Sequence, residues 1–253
     1  KITSYLKIFN YLIFISNLLI AQIALPTFHG VHKSHTSSDS NINVLIIWDN
    51  SASNSNTLSL KTALENEGFT VSLSNTGESS YDGTNPALTN FNAVIHLNGT
   101  TYSNQMPTAG QTALVNFVNT QGGLYCHSEW LAYQRGRNQY STMSELIILN
   151  RTTGHSGNTT YTEVAEQSSH SILDNIPSSF TFSSGGNKGN AVSYGSNPVT
   201  VLMKFGDYDG VMIRSYGNGK IMGMSHAGNY SSYAPLSDSN IQQLYINAIN
   251  WAN

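Results

Sequence analysis

The sequence predicts one α/β domain built on a doubly wound, mostly parallel sheet with helices on both faces and antiparallel strands added in its C-terminal half. Three observations carry this. Val44-Leu45-Ile46-Ile47-Trp48 is a continuous apolar run of strand length, as expected of strands buried on both faces of a parallel sheet. Strand-like and helix-like stretches then alternate at short intervals up to Cys126, which implies right-handed crossovers in an open sheet. The last segment is the clearest helix, with Ile241, Leu244, Tyr245, Ala248 and Ile249 at i, i+3, i+4, i+7 and i+8 spacing behind a predicted cap at Ser237.

The elements follow in order. After the first strand, Leu58, Leu60, Ala63 and Leu64 give a partly amphipathic helix stopping at Gly68, and Phe69–Leu73 gives a second strand. Ala93–Leu97 is the third strand and Asn98-Gly99 its exit. Ala113, Leu114, Phe117 and Val118 share one face of the next helix, which runs out at Gly122-Gly123 before the fourth strand, Leu124–Cys126. Beyond it, strand-like stretches at Tyr161–Val164, Phe180–Phe182, Val199–Phe205, Val211–Ser215 and Lys220–Ser225 are separated by Gly- and Asn-rich turns, and are expected to extend the sheet with antiparallel strands.

Ahead of the domain, expected over 43–253, residues 1–22 combine Lys1 and Lys7 with an apolar stretch that lacks any acid, the profile of a signal peptide. Polar interruptions shorten its clean run below the roughly 20 residues of a spanning helix, so no stable membrane insertion is expected after cleavage. Residues 23–42 show no apolar periodicity and read as a flexible tether. Export makes the expected location secreted or extracytoplasmic. The 11 Lys and Arg are scattered among 14 acids with no basic stripe, which argues against a nucleic-acid partner. A lone cysteine, Cys126, excludes an intrachain disulfide framework.

Open α/β sheets bind ligands beyond the carboxyl ends of their strands. That rule selects Trp48-Asp49-Asn50, Asn98-Gly99-Thr100 and the elbow His127-Ser128-Glu129. His127 falls at the apex, where hydrolases of this architecture present Ser or Cys within Gly-x-Ser-x-Gly, a pattern that is absent. His127 is therefore expected as an acid/base, with Glu129, Asp49 and His226 beside it as the catalytic set. Trp48, Asn50, Asn98, Ser128, His155 and Tyr230 are the expected ligand contacts. Trp130, Tyr102 and Tyr233 join Trp48 and Tyr230 as rim aromatics suited to sugar stacking, although core packing suits Trp48 better. Alternation turns Cys126 inward, His96 reads as a buried strand histidine and His170 as a turn residue. No cofactor is expected; His127, His155 and His226 could together hold a divalent metal, a minority alternative.

Taken in order, several segments resemble the trehalose-utilisation (ThuA-like) family of the glutamine-amidotransferase-like superfamily. Gly122-Gly123-Leu124-Tyr125-Cys126-His127-Ser128 is similar to its Gly-Gly-apolar-apolar-x-His-Ser elbow, and Ile46-Ile47-Trp48-Asp49 to its first strand. Gly154-His155-Ser156, His170–Pro177 with Phe180-Thr181, Gly217–Ile221 leading to Ser225-His226, and Ile246–Ala252 resemble further family segments. Two departures stand out: Ser183-Ser184-Gly185-Gly186-Asn187 replaces an acidic Asp-Glu-x-Tyr segment, and Asn98-Gly99-Thr100 replaces a His-bearing turn. The resemblance implies a flavodoxin/glutamine-amidotransferase-like fold and a small-molecule or carbohydrate ligand, with hydrolase- or isomerase-like chemistry on sugar derivatives as one expectation. A non-catalytic extracellular binding or adhesion module is the alternative, favoured by the missing acids; an amidotransferase-like hydrolase is a third, opposed by the missing nucleophile. The oligomeric state is left open.

Overall fold

The structure, a computed structural model, describes residues 41–230 and 232–253. The expected signal segment and all of the expected tether but Asn41 and Ile42 lie outside the described residues. Among the described residues, nine strands form one sheet in the order β2-β1-β3-β4-β11-β10-β9-β6-β7. Here β1 is Asn43–Ile47, β2 Thr70–Leu73, β3 Ala93–His96, β4 Leu124–His127, β6 Asn158–Glu163, β7 Ser179–Ser183, β9 Thr200–Phe205, β10 Tyr208–Tyr216 and β11 Gly219–Met224. β5 (Leu149–His155) and β8 (Gly186–Ala191) pair antiparallel as a separate ribbon. The first five strands in the order are mutually parallel, while β10, β9, β6 and β7 continue antiparallel.

The unbroken apolar run of β1 has a direct structural cause. Val44 and Ile46 face helices α1 (Ser55–Asn66) and α4 (Ser239–Ala252), while Leu45 and Ile47 face α2 (Thr108–Asn119) and α3 (Trp130–Arg135). Both faces of β1 are thus covered, so no polar alternation is tolerated in it. Cys126 points into the α1/α4 layer and Tyr125 into the other. Burial raises the Cys126 thiol well above its ordinary range, leaving it protonated.

Three expectations are corrected. β11 was expected to be antiparallel, yet it runs parallel to β4 and takes the fifth place in the parallel array. The cap of α4 is Asp238 and not Ser237: its Oδ1 accepts from the N–H groups of Asn240 and Ile241 at 2.9 and 3.2 Å. The β5/β8 ribbon was not anticipated, because strands reading LNRTTGH and GNKGNA carry little apolar alternation.

Candidate functional site

The strand order 2-1-3-4 puts a topological switch point between β1 and β3, where ligands of such sheets usually enter. Here the protein's own loops fill it. Asp49, fully buried, accepts from Thr100 N–H at 2.5 Å and Thr101 N–H at 3.1 Å, with the Thr101 hydroxyl 2.5 Å from Oδ1. That hydroxyl lies equally close to Oε1 of Glu78, a buried acid that sequence reasoning missed. The single hydroxyl proton can donate to only one of the two carboxylates at a time. Burial pushes the Asp49 carboxyl upward against the Thr donors, and Glu78 adds to the push.

Glu78 is held in turn by Tyr140 Oη at 2.5 Å and Asn98 Nδ2 at 3.1 Å, with His96 Nε2 at 3.5 Å and Tyr125 Oη at 2.8 Å from His96 Nδ1. Asn98 N–H donates to Ser128 Oγ, which donates back to the Asn98 carbonyl, both at 3.2 Å. Asn98 and Ser128 therefore tie the ends of β3 and β4 together. Gly99 is required by the same sealing: a Cβ there would stand 2.7 Å from the Tyr230 backbone nitrogen.

The structure places His127 in the interior of the fold and not at an open apex. The residue is fully buried; Nε2 accepts from Ile148 N–H at 3.1 Å, which leaves Nδ1–H to donate to the Ser128 carbonyl at 3.0 Å. Both nitrogens are used, and burial lowers its pKa to about 4 against the pull of the Ser128 bond, so the ring is a neutral structural link. His226 is fixed likewise, accepting from Gly228 N–H at 3.0 Å and donating to Tyr245 Oη at 2.9 Å, with a pKa lowered to about 3 chiefly by burial. Trp48 donates its indole N–H to the Ser74 carbonyl at 2.6 Å and packs on Gly77. Asn50 is exposed with φ 69° and stands outside the cleft described next. Among the described residues no three His, Cys, Asp or Glu side chains are grouped to hold a metal.

A cleft of about 660 Å³ lies instead between the start of α3, the β5/β8 ribbon and the loop after β11. Trp130, Tyr230 and Tyr233 form its aromatic side, and His155, Ser156, Gly186 and Lys188 its polar side. Two of the expected contacts, His155 and Tyr230, are here. The Trp130 ring is clasped by Tyr230 (centroids 4.7 Å apart), Tyr102 (4.9 Å, stacked) and Tyr133 (5.0 Å, edge-on). His155 stands edge-on to Phe205 at 4.8 Å with Nε2 3.1 Å from the Asn158 carbonyl, and partial burial lowers its pKa.

Glu129 lies beneath this floor, fully buried. Its Oε2 accepts from Asn187 Nδ2 at 2.7 Å, and Asn187 Oδ1 accepts from Arg151 Nε at 2.5 Å. Its Oε1 has no hydrogen-bond partner and occupies the space a side chain at position 186 would need, 1.9 Å from where a Cβ would be. Burial raises the carboxyl well above its ordinary range, outweighing the Asn187 bond, so Glu129 is a neutral acid behind the cleft wall. The Tyr161 hydroxyl, buried and also without a partner, is raised by burial. Sequence reasoning missed Lys188 and Gly186; the one available signal was the substituted segment Ser183–Asn187, which builds this floor.

No family model and no curated protein matches the sequence. Solved structures match its fold. A ThuA-like protein from Bacteroides uniformis shares 16% identity over 85% of this chain and 93% of its own, with a TM-score of 0.58. A second ThuA-like protein, from Parabacteroides merdae, shares 14% over 84% and 90%, with a TM-score of 0.60. A β-galactosidase from Bacillus circulans sp. alkalophilus shares 10% over 83% of this chain but 31% of its own, with a TM-score of 0.51. The chain has the flavodoxin- and glutamine-amidotransferase-like α/β fold seen in ThuA-like proteins.

Proposed function

We propose that this ThuA-like fold binds a sugar or sugar derivative in the cleft between α3, the β5/β8 ribbon and the loop after β11, and acts as an extracytoplasmic recognition domain. The observation that carries the reading is the aromatic side formed by Trp130, Tyr230 and Tyr233 facing the polar groups of His155, Ser156 and Lys188. An apolar sugar face packs on such rings while its hydroxyls bond to the opposite side. The occurrence of the fold within a β-galactosidase chain supports the carbohydrate class. Calorimetric titration of the domain with a panel of mono- and oligosaccharides tests it: Trp130→Ala and Tyr230→Ala should each weaken binding by about tenfold. A panel without a binder, or variants that bind as wild type does, sinks the reading.

A second reading, acid catalysis by Glu129, is favoured by the unpartnered Oε1 behind Gly186. Asp49 offers no companion carboxyl for it, being clamped by Thr100 and Thr101. Turnover of aryl glycosides that disappears in Glu129→Gln with binding retained would establish an enzyme; absence of turnover in wild type leaves the recognition domain. Export rests on the composition of residues 1–22, and N-terminal sequencing of protein recovered outside the cytoplasm checks it. Among the described residues no helix is long and apolar enough to cross a membrane.

A further inference from the structure

The cleft is lined by no acidic side chain, while Lys188 projects into it from β8. Its ammonium sits over the rings of Phe205 and Tyr208, at 5.0 and 5.4 Å from their centroids, and no Asp or Glu among the described residues forms an ion pair with it. Rings beside a cation displace part of its water without neutralising it. The acid closest to the floor, Glu129, spends its Oε2 on Asn187 and turns Oε1 toward Gly186, buried from the cleft. Behind Asn187 stands a second cation, Arg151, on the paired strand β5. The formal charges around the cleft are therefore positive, and a low-dielectric aromatic wall strengthens their pull on an anion.

We infer that the ligand carries a negative charge, a carboxylate or a phosphate borne on the sugar, and that Lys188 is the residue that selects it, with His155 beside it as a second donor. This rests on the sugar reading above and narrows it to acidic sugars. A neutral sugar would leave the partly desolvated ammonium without a partner, whereas an anion satisfies it at the rim of the aromatic platform.

The test titrates wild type, Lys188→Met and Lys188→Arg with glucose, glucuronate, glucose 6-phosphate, acetate and inorganic phosphate, at low and physiological salt. Wild type should bind glucuronate or glucose 6-phosphate at least tenfold more tightly than glucose. That preference should collapse in Lys188→Met, persist in Lys188→Arg and shrink with salt. The tighter of the two charged sugars identifies carboxylate or phosphate as the anionic group. Equal binding of glucose and both charged sugars overturns the charge inference and leaves the sugar reading standing. Binding of acetate or phosphate as tight as that of the charged sugars, and dependent on Lys188, upholds the anion site and overturns the sugar reading. A preference retained by Lys188→Met overturns the role of Lys188, and no binding by any of the five overturns both readings.

Discussion

Replacing Glu129 by Gln isolates the energetic consequence of burying a carboxyl in this fold. The substitution keeps shape and keeps an acceptor for Asn187 Nδ2, but it cannot ionise. In the unfolded chain Glu129 titrates near its ordinary value of 4.5; in the fold burial holds it protonated to a much higher pH. Below pH 4.5 both states are protonated and the group contributes no pH-dependent difference. As pH rises from there toward the folded pKa, the unfolded chain gains by ionising and the fold does not. Stability is thus lost with rising pH by about 1.4 kcal/mol per unit for this one group. The Gln variant should match wild type within about 1 kcal/mol at pH 4 and become the more stable protein by about 1.4 kcal/mol for each unit above 4.5, levelling off at the folded pKa. Urea denaturation of both proteins at half-unit intervals from pH 4 to 8 measures this, because every other titrating group is common to the two and cancels in the difference. A difference that stays flat across the range would refute a buried neutral acid at position 129.

Three further outcomes follow from named contacts. His127 and His226 are depressed to about 4 and about 3; their contribution is present above the ordinary value of 6.5 and lost as pH falls toward those values. In the Glu129→Gln background, where that acid no longer titrates, unfolding free energy should therefore drop below pH 6.5 by up to about 2.7 kcal/mol per unit for the pair, read from the same denaturation series. Gly186→Ala sets a Cβ 1.9 Å from Glu129 Oε1 at a φ of 114°, which should cost about 3 kcal/mol from overpacking and backbone strain together; adding Glu129→Ala should recover the part owed to the clash. Ser128→Ala strips the partner from the buried Asn98 N–H and carbonyl and should lower the unfolding free energy by about 2 kcal/mol, visible as a lower thermal midpoint with unchanged far-ultraviolet circular dichroism.

The parallel half was legible because its strands are covered on both faces: Val44 to Ile47 and Ala93 to Ile95 are apolar throughout because helices lie above and below. The closing helix was legible for the same reason, since Ile241, Leu244, Tyr245, Ala248 and Ile249 form one buried stripe. The β5/β8 ribbon escaped because Asn150, Arg151, Thr152 and Thr153 are exposed in succession, leaving no period to read. The site was half legible. The rule for open sheets located the ends of β1, β3 and β4 correctly, but it gives no account of how deep a side chain sits. Asp49, Asn98, Ser128 and His127 are at those ends and each is consumed by partners within the fold. Of the residues expected from the sequence, Trp130, His155, Tyr230 and Tyr233 line the cleft.

The substituted segment Ser183–Asn187 gains a different meaning from this geometry. Read along the chain, the loss of acids there points to lost chemistry. In the fold its two glycines make room for something: a Cβ at Gly185 would stand 2.2 Å from the Tyr233 ring, and one at Gly186 would meet Glu129 Oε1. Asn187 then holds the Glu129 carboxyl on one side and the Arg151 guanidinium on the other. The floor is therefore made from absent side chains on β8 and a carboxyl delivered from the β4 elbow. Delivered from below, that carboxyl is buried and stays neutral; borne on a cleft-lining strand, it would be solvated, ionised and opposed to Lys188. With Glu129 buried behind Gly186 and no acid on the lining, Lys188 is the formal charge that faces the cleft, which strengthens the case for an anionic ligand.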